Sequence, residues 1–467
     1  MSKDEDLERL RQENAVLREQ VAQLSERIHV LEAQLAKDSH NSHLPPSSDR
    51  FHRQPKSLRT PSGKKAGGQP GHEGRTLMLS PTPDTIVVHA VEECEHCQHD
   101  LRQVESLEVE RRQVMDLPVK RVLVVEHQAQ QKWCPACQQV SMAAFPQEVR
   151  APVQYGAACG AVAVYLVEQQ LLPYERACEV MEDLLGVPMS VGTLQGLVQR
   201  CAQQLEPVEQ QIKEALIQAP VIHQDETGLH VAGKPFWMHV TCTPTLTHYH
   251  VHANRGQTAL EAIGILPKFG GISIHDGWAS YFLYACEHAC CNVHLLRDLI
   301  FLAEEHHCLW AGDLKELFLD MKKATDYARQ QGQDRLDPLE VVDWEAQFLT
   351  LLDEGDRAHP RATAPPGTRG RCKQSAARNL LDRLRTWQQA VLCFLEDLRV
   401  DFDNNLAERD LRMIKVQQKV SGCFRSPAFA QAFARIRGYL STLRKQRRPL
   451  LSALEQALLG HPLLPAF

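Results

Sequence analysis

Val221-Ile222-His223-Gln224-Asp225-Glu226-Thr227-Gly228 is the stretch that decides the fold of the central region. Its apolar start predicts a short strand that ends at an acid, Asp225, and is followed by a Thr-Gly turn. The segment Gly271-Ile272-Ser273-Ile274-His275-Asp276-Gly277 repeats this pattern. A strand-end Asp is often only a turn former. Acids at strand ends beside a glycine are also typical of metal-dependent phosphoryl chemistry. Two such strands in one chain favour a site that contains Asp225 and Asp276.

The segments around these two strands predict a single sheet flanked by helices. β-rich runs at 236–241 and 247–252 form a meander with the first strand, a helix is expected at about 257–266, another begins at Trp278, and an apolar strand follows around 290–293. This is the element order of the ribonuclease H-like fold. In that fold the first strand, the fourth strand and the last helix bring three carboxylates together.

A third acid, Glu408, is predicted on a helix capped by Asp403. Glu408 shares a helix face with Asn404, Asn405, Arg412 and Lys415. From Arg409 to Arg448 the chain has eleven Lys or Arg and one acid, although its overall formal charge is −6. A carboxylate repels DNA by itself, but it is well placed to hold a divalent metal against phosphate. The alternative is a solvated amphipathic helix in which Glu408 pairs with Arg412.

The long interval between Asp276 and Glu408 is predicted to be an all-helical insertion. Helical sequence covers 314–327 and 379–398, and a Pro/Gly/Arg-rich loop lies at about 359–370.

The expected fold class is thus α/β multidomain, a ribonuclease H-like core with a helical insertion, preceded by a coiled coil and a β-rich zinc ribbon. The predicted boundaries are a zipper at 1–36, a basic linker at 37–88, a zinc ribbon at 89–145, a helical domain at 150–210, the core at 215–300 and 398–430, the insertion at 301–397 and a basic helical tail at 431–467.

Several of these segments resemble motifs of one family. His223-Gln224-Asp225-Glu226-Thr227, His275-Asp276-Gly277-Trp278 and Asn404-Asn405-Leu406-Ala407-Glu408-Arg409 are similar to the motifs of the insertion-sequence-sixty-six family of bacterial DDE transposases, in the family's order, and 420–426 and 440–445 resemble one branch of it. The resemblance implies cut-and-paste or copy-and-paste DNA transposition, with Asp225, Asp276 and Glu408 as the metal-binding triad.

The function expected from these residues is that of a DNA transposase, which cleaves and transfers strands by two-metal phosphoryl transfer with Mg²⁺ or Mn²⁺ at the triad. Its partners would be the element's terminal inverted repeats and target DNA, together with any accessory proteins of the same element. The cations expected to meet DNA are Arg412, Lys415, Lys419 and Arg425. The alternatives are a structure-specific nuclease of the same fold and a zinc-containing DNA-binding regulator without catalysis.

The N-terminus carries a heptad pattern. Leu7, Asn14, Val21, Ile28 and Leu35 form one series of positions, and Leu10, Leu17, Leu24 and Leu31 form the other. Leu at every d position, with Val, Ile and one Asn at a, favours a parallel dimer. Glu13 would then face Arg18 of a second copy, and Arg27 would face Glu32, so the pairs are opposite in sign. The alternative is a helix packed on its own protein's core.

Residues 37–75 contain eight Lys or Arg, three acids and many Pro and Gly, a composition that cannot bury a core. The segment is either a tether or a contact for DNA phosphates.

Next come Cys94-x-x-Cys97 and Cys134-x-x-Cys137, separated by 36 residues that include β-rich runs at 107–117 and 121–131. Two such pairs predict a structural Zn²⁺ bound by four thiolates, against the alternative of free cysteines.

Residues 157–205 are predicted to be helical, with a helix at 174–185 ended by Gly186 and a second one capped by Ser190. The spacing fits either a helix-turn-helix or an ordinary helical hairpin. Cys291 and His294 either form a metal site or only pack in the core, and they are not assigned to metal.

The sequence shows no signal peptide and no apolar run of transmembrane length. We therefore expect no membrane partner and a cytoplasmic, nucleoid-associated bacterial protein with reduced thiols.

Overall fold

The computed structural model describes residues 3–37, 41–42, 79–114, 122–146, 148–363 and 372–467. Most of the predicted linker and part of the loop at 359–370 lie outside these residues. The chain forms two compact units, one spanning 57–126 and the other comprising the remaining chain. The elements together form a mixed α/β protein.

Helix α1, Lys3–Leu35, is one continuous helix. The zipper positions whose side chains are described are exposed: Leu17, Val21, Leu24, Ile28, Leu31 and Leu35 are each at least half accessible. Asn14 is exposed as well, whereas the side chains of Leu7 and Leu10 lie outside the described set. The apolar seam is therefore not buried in the core of its own chain.

Strands β1, Gln131–Trp133, and β2, Val140–Met142, form a small antiparallel ribbon around the second cysteine pair. The prediction of strands at 107–117 and 121–131 is wrong for the described residues before Gln131, which form no strand. Val109, Val114 and Leu123 are largely exposed there. β-forming residues that have no partner strand and no layer to pack on do not form a sheet by propensity alone.

Between β2 and the central sheet the chain forms α2, Ala157–Glu168, α3, Tyr174–Leu185, α4, Val191–Gln204, and α5, Glu206–Ile217. The predicted bounds of α3 and the predicted cap of α4 are confirmed. Gly186 ends α3 in the left-handed region with φ 66°, and the Ser190 side chain accepts a hydrogen bond from the Thr193 amide at the start of α4.

The central sheet contains β3, Val221–Val231, β4, Lys234–Cys242, β5, Thr247–His252, β6, Ile272–His275, and β7, Glu287–Cys290. Its strand order is β5-β4-β3-β6-β7, with β4 antiparallel to its neighbours β3 and β5, and with β6 parallel to β3 and β7 parallel to β6. The predicted meander is thus confirmed, and α6, Gln257–Ile263, follows it. The turn predicted at Thr227-Gly228 is wrong, because both residues pair with β4 and the strand continues to Val231, after which Ala232 and Gly233 turn the chain. The last strand lies a few residues earlier than predicted because its register with β6 ends at the pair His275 and Cys290.

The helix predicted from Trp278 is wrong, because only a 3₁₀ turn, Tyr281–Leu283, connects β6 with β7. The connection is short, Gly277 turns the chain with φ 83°, and the Asp276 side chain accepts a hydrogen bond from the Trp278 amide at 2.9 Å. Both features stabilise a turn at this position. A helix would instead require a regular series of backbone hydrogen bonds between residues four apart.

The insertion is helical, as predicted, and contains α7, Asn292–Glu305, α8, Leu309–Gln330, α9, Pro338–Ala358, α10, Ala376–Thr386, and α11, Gln388–Glu396. Its apolar side chains form one core with those of β6 and β7. No described helix is long and apolar enough to cross a membrane.

The chain ends with α12, Asn405–Ser421, α13, Pro427–Lys445, and α14, Leu450–Leu458. Leu411 and Ile414 of α12 and Phe433 of α13 share a core with Val240 and Tyr249 of the sheet. The segment expected from residue 431 to be a tail therefore contributes helices that are packed into the protein.

Gly271 is the position where we expect a small substitution to disturb the sheet. A Cβ at Gly271 would lie 2.4 Å from the Pro220 carbonyl oxygen, whereas one at Gly270 would meet nothing within 4 Å. Gly271→Ala should lower the free energy of unfolding by about 1–3 kcal/mol, the usual cost of overpacking. Chemical denaturation should show this loss for Gly271→Ala and a much smaller change for Gly270→Ala. Equal stabilities would contradict the tight approach of β6 to the chain before β3.

Candidate active site

Three acids lie on elements that pack together: Asp225 within β3, Asp276 immediately after β6, and Glu408 in the first turn of α12. The last parallel pair between β3 and β6 is His223 with Ile274, and Asp225 and Asp276 follow two residues later on their strands. Helix α12 packs against β3 and β4, which brings Glu408 toward the same end of the sheet.

The electrostatics reflect this arrangement. Burial raises the pKa of Asp225 well above its usual range, and the charges of Glu226, Asp276 and Glu408 raise it further. Burial also raises the pKa of Glu408, while Arg297 and Arg412 act in the opposite direction. Mutually repelling carboxylates in a partly buried site are the donor set that a divalent cation stabilises.

Asn404 fixes the start of α12 against the sheet. It is 1% exposed, its Nδ2 donates to the Gln224 carbonyl at 2.8 Å, and its Oδ1 lies 3.0 Å from Nδ1 of His223. Its amide donates to the Cys291 Sγ at 3.2 Å. Because Glu408 lies one helical turn later, these contacts hold its backbone close to β3.

The cap of this helix differs from the prediction. Asn404, and not Asp403, occupies the N-cap position, and Asp403 accepts a hydrogen bond from the Asn405 amide at 3.0 Å. The Asn404 side chain does not cap its own helix because it is used in the contacts with β3.

A tighter group of ligand atoms lies beside the acids. Sγ of Cys291, a ring nitrogen of His294 and a carboxylate oxygen of Glu408 all lie within 4.8 Å of one another. The three acids do not form so compact a group. Burial raises the pKa of the Cys291 thiol, which favours its neutral form. Cys291 and His294 therefore lie in the site, with chemistry that suits either packing or a transition metal.

Two residues at the site were not predicted from the sequence. Glu226, the neighbour of Asp225, is buried and accepts hydrogen bonds from Arg255 at 2.6 Å and from the Tyr281 hydroxyl at 2.5 Å. Arg255 Nη2 also lies 3.7 Å from Oδ2 of Asp276. The guanidinium of Arg255 is 4.3 Å from the ring centroid of Trp278.

The four cations predicted to contact DNA, Arg412, Lys415, Lys419 and Arg425, are all exposed. Lys415 Nζ donates to the Gly228 carbonyl at 2.8 Å, and burial lowers its pKa. Asp410, the acid among the basic residues of this region, is largely buried in an ion pair with Lys445 at 2.8 Å. Arg437 is also internal and donates to Gln169. The exposed part of this region therefore carries cations without an acid among them, although Lys445 and Arg437 do not belong to it.

Each cysteine pair forms its own tight turn. The Cys94 amide donates to the His99 carbonyl and the Gln98 amide to the Cys94 carbonyl, and Cys134, Gln138 and Gln139 repeat this arrangement. Gln98 and Gln138 occupy the left-handed region with φ 62° and 56°. Backbone amides that point at the sulfur lower the pKa of Cys94 and of Cys134, and a lower thiol pKa favours the thiolate that binds metal.

Carboxylates on adjoining strands and on a helix packed against them are typical of enzymes that transfer phosphoryl groups with the help of metal ions. The model of the Transposase IS66 family matches residues 152–432, and this protein belongs to that family. It is thus a transposase-type enzyme of an insertion sequence. Residues 2–77 match a Family of unknown function (DUF6444). No curated protein matches the chain.

Proposed function

We propose that the protein binds the ends of its insertion sequence and catalyses metal-dependent DNA cleavage and strand transfer at Asp225, Asp276 and Glu408. The observation that supports this proposal is electrostatic: the three acids occupy different elements of the chain, yet Asp225 lies near enough to the other two for their charges to raise its pKa. The charges of Asp276 and Glu408 both act on Asp225, as expected for carboxylates that share metal ions.

The strand order supports a ribonuclease H-like core. A sheet of order β5-β4-β3-β6-β7, with an antiparallel meander followed by two parallel strands, has the topology expected from the sequence. The acids then occupy the first strand, the end of the fourth and the last helix of the core. This assignment is an analogy of fold, and the positions of the acids link it to function.

The site would hold Mg²⁺ or Mn²⁺ through the carboxylates of Asp225, Asp276 and Glu408. Bound ions supply an activated nucleophile and stabilise the leaving oxygen. In cleavage, a water oxygen bonds to phosphorus and the bond from phosphorus to O3′ breaks, which leaves a 3′-hydroxyl. In strand transfer, this hydroxyl bonds to a target phosphorus and the target's own O3′ leaves. The protein contributes the anchored carboxylates and the basic face of α12.

Calorimetric titration with Mn²⁺ tests the metal site directly. The wild-type protein should bind Mn²⁺, and Glu408→Gln should bind it more weakly because one charged oxygen ligand is lost. Glu340→Gln, in the first turn of α9, is the matched control and should bind like the wild type. Equal binding by all three proteins would remove Glu408 from the site.

The proposed assembly is a dimer formed through α1. The exposed seam of Leu17, Val21, Leu24, Ile28 and Leu31 supports pairing with a second copy, because an uncovered apolar stripe of this length is unfavourable in water. In this dimer Asn14 would be buried at an a position, where a single Asn favours a two-stranded coiled coil with its helices in register.

Zinc is a separate prediction. We expect about one Zn²⁺ per chain, bound by Cys94, Cys97, Cys134 and Cys137. The tight turn at each pair and the lowered thiol pKa of Cys94 and Cys134 support this. Elemental analysis of protein purified without chelators should find the metal, and Cys97→Ser should lose most of it. Cys423→Ser, at an exposed cysteine, should retain it. Protein without zinc would contradict the prediction.

Arg412 and Lys415 should contribute to DNA binding through phosphate contacts. Their joint replacement by Ala should weaken binding to all sequences alike and reduce the slope of log affinity against log salt by at most about two. A salt series measures this, with Lys323→Ala, an exposed cation of α8, as the control. An unchanged slope combined with lower thermal stability would show that the role of the pair is structural, as in the contact of Lys415 with the Gly228 carbonyl.

A further inference from the structure

The guanidinium of Arg255 is held along one edge. Its Nε donates to Oε1 of Glu226 at 2.6 Å, and its Nη2 lies 2.6 Å from the same oxygen. Within the part of the chain that the structure describes, Nη1 makes no hydrogen bond or ion pair. Because arginine has five N–H donors in a fixed plane, the edge with Nη1 keeps donors for a ligand.

The orientation of this guanidinium is fixed from several sides. Trp278 and Trp237 lie 4.3 and 5.1 Å from it, measured to their ring centroids. Glu226, its anchor, is itself fixed by the Tyr281 hydroxyl, which donates to Oε2 at 2.5 Å. An arginine that is held in this way loses little conformational entropy when it binds a ligand.

The ion pair is also oriented toward solvent. The Glu226 side chain is 1% exposed, whereas that of Arg255 is 37% exposed. The negative partner is thus inside and the positive one outside, with Nη2 at 3.7 Å from Oδ2 of Asp276. A cation needed only to neutralise Glu226 would satisfy that role when fully buried. This one presents free donors at the edge of the three acids.

We propose that Arg255 binds a non-bridging oxygen of a DNA phosphate next to the scissile bond. A planar fork with one free edge matches the geometry of a phosphate, and a phosphate at this edge would be within reach of metal ions held by Asp276. The inference rests on the proposed function, because it names a further contact of the same site with its DNA substrate.

The test combines an arginine variant with DNA that lacks one charge at a time. A set of DNA ends carries a single methylphosphonate at successive phosphates around the cleavage site, and cleavage in Mg²⁺ is timed for the wild type and for Arg255→Ala. With unmodified DNA, Arg255→Ala should be about 100-fold slower, the usual loss when a positioned electrostatic donor is removed. At one phosphate, the wild type should lose about tenfold in rate, the size of a hydrogen bond to a charged group, and Arg255→Ala should lose nothing further.

Two further variants separate this role from folding. Arg255→Lys keeps a positive charge opposite Glu226. If the alanine variant does not fold, Arg255→Lys takes its place in the comparison with the wild type at each methylphosphonate. It should be less sensitive than the wild type at that phosphate, because a lysine lacks the fork. Arg399→Ala, which removes an exposed arginine paired with Asp397, should behave like the wild type at every position.

The inference is overturned if the folded variant of Arg255 cleaves as fast as the wild type. It is equally overturned if that variant is slow but loses the same factor as the wild type at every methylphosphonate, since Arg255 would then act only through the fold. Failure of the wild type to cleave unmodified ends counts against the proposed function instead, so the two failures are distinguishable.

Discussion

Asp225→Asn should reduce DNA cleavage to background while leaving binding to the element's ends nearly intact. The variant keeps the size and shape of the side chain but loses the negative charge that would hold metal ions together with Asp276 and Glu408. We propose that DNA binding depends on separate cations, which include Arg412 and Lys419, and both of these side chains are exposed. A nicking assay and a gel-shift assay on the same protein preparation measure the two effects.

Stability provides the control for this variant. The folded protein raises the pKa of Asp225, so its ionisation costs folding free energy as the pH rises above the value at which it ionises in the unfolded chain. Asn carries no such cost. Metal-free Asp225→Asn should therefore be at least as stable as the wild type at neutral pH. Asp343→Asn, on the exposed side of α9, should keep full cleavage. Cleavage by Asp225→Asn in Mg²⁺ would remove this residue from the site.

Removal of residues 1–36 should convert the proposed dimer into a monomer and leave the rest of the protein folded. The reason is that the seam of α1 is exposed in the single chain, so its burial depends on a second copy. Cooperative binding to the ends should weaken along with self-association. Light scattering measures the change in mass, and circular dichroism should show the remaining helices intact.

A pair of double substitutions isolates the seam within the full-length chain. Leu17→Lys with Leu24→Lys places two charges at d positions and should prevent dimerisation. Val16→Lys with Gln23→Lys places the same charges, with the same spacing, on another face of α1 and should leave the dimer intact. If both proteins have the mass of the wild type, another surface forms the oligomer.

The sheet could be predicted because each of its strands carries a local signal. β3 and β6 each lead from an apolar start to an acid, and β4 and β5 are rich in β-forming residues around a Thr-Pro turn. Gly186 and Ser190 likewise mark helix ends by chemistry that acts within a few residues. Asp276 and Glu408 were predictable for the same reason, since each lies at the end of a recognisable element, whereas Asp225 lies within β3 and not at its end.

The parts that failed depend on contacts between distant residues. The helix predicted at 379–398 is divided at Trp387, whose ring stacks on Phe282 at 3.5 Å between centroids. Asn404 reaches His223 and Gln224 across the fold, and no spacing in the sequence indicates this. Arg255 lies in a loop far along the chain from Glu226, so its position beside Asp276 is visible only in three dimensions.

Strand transfer by the purified protein is the measurement that tests the central claim most directly. Protein, Mg²⁺, the element's own terminal sequences and a supercoiled target plasmid should yield end sequences joined through their 3′-hydroxyls to the target, and Glu408→Gln should yield none. Joined products formed equally well by Glu408→Gln, or by the wild type in EDTA, would contradict metal-dependent catalysis at Asp225, Asp276 and Glu408.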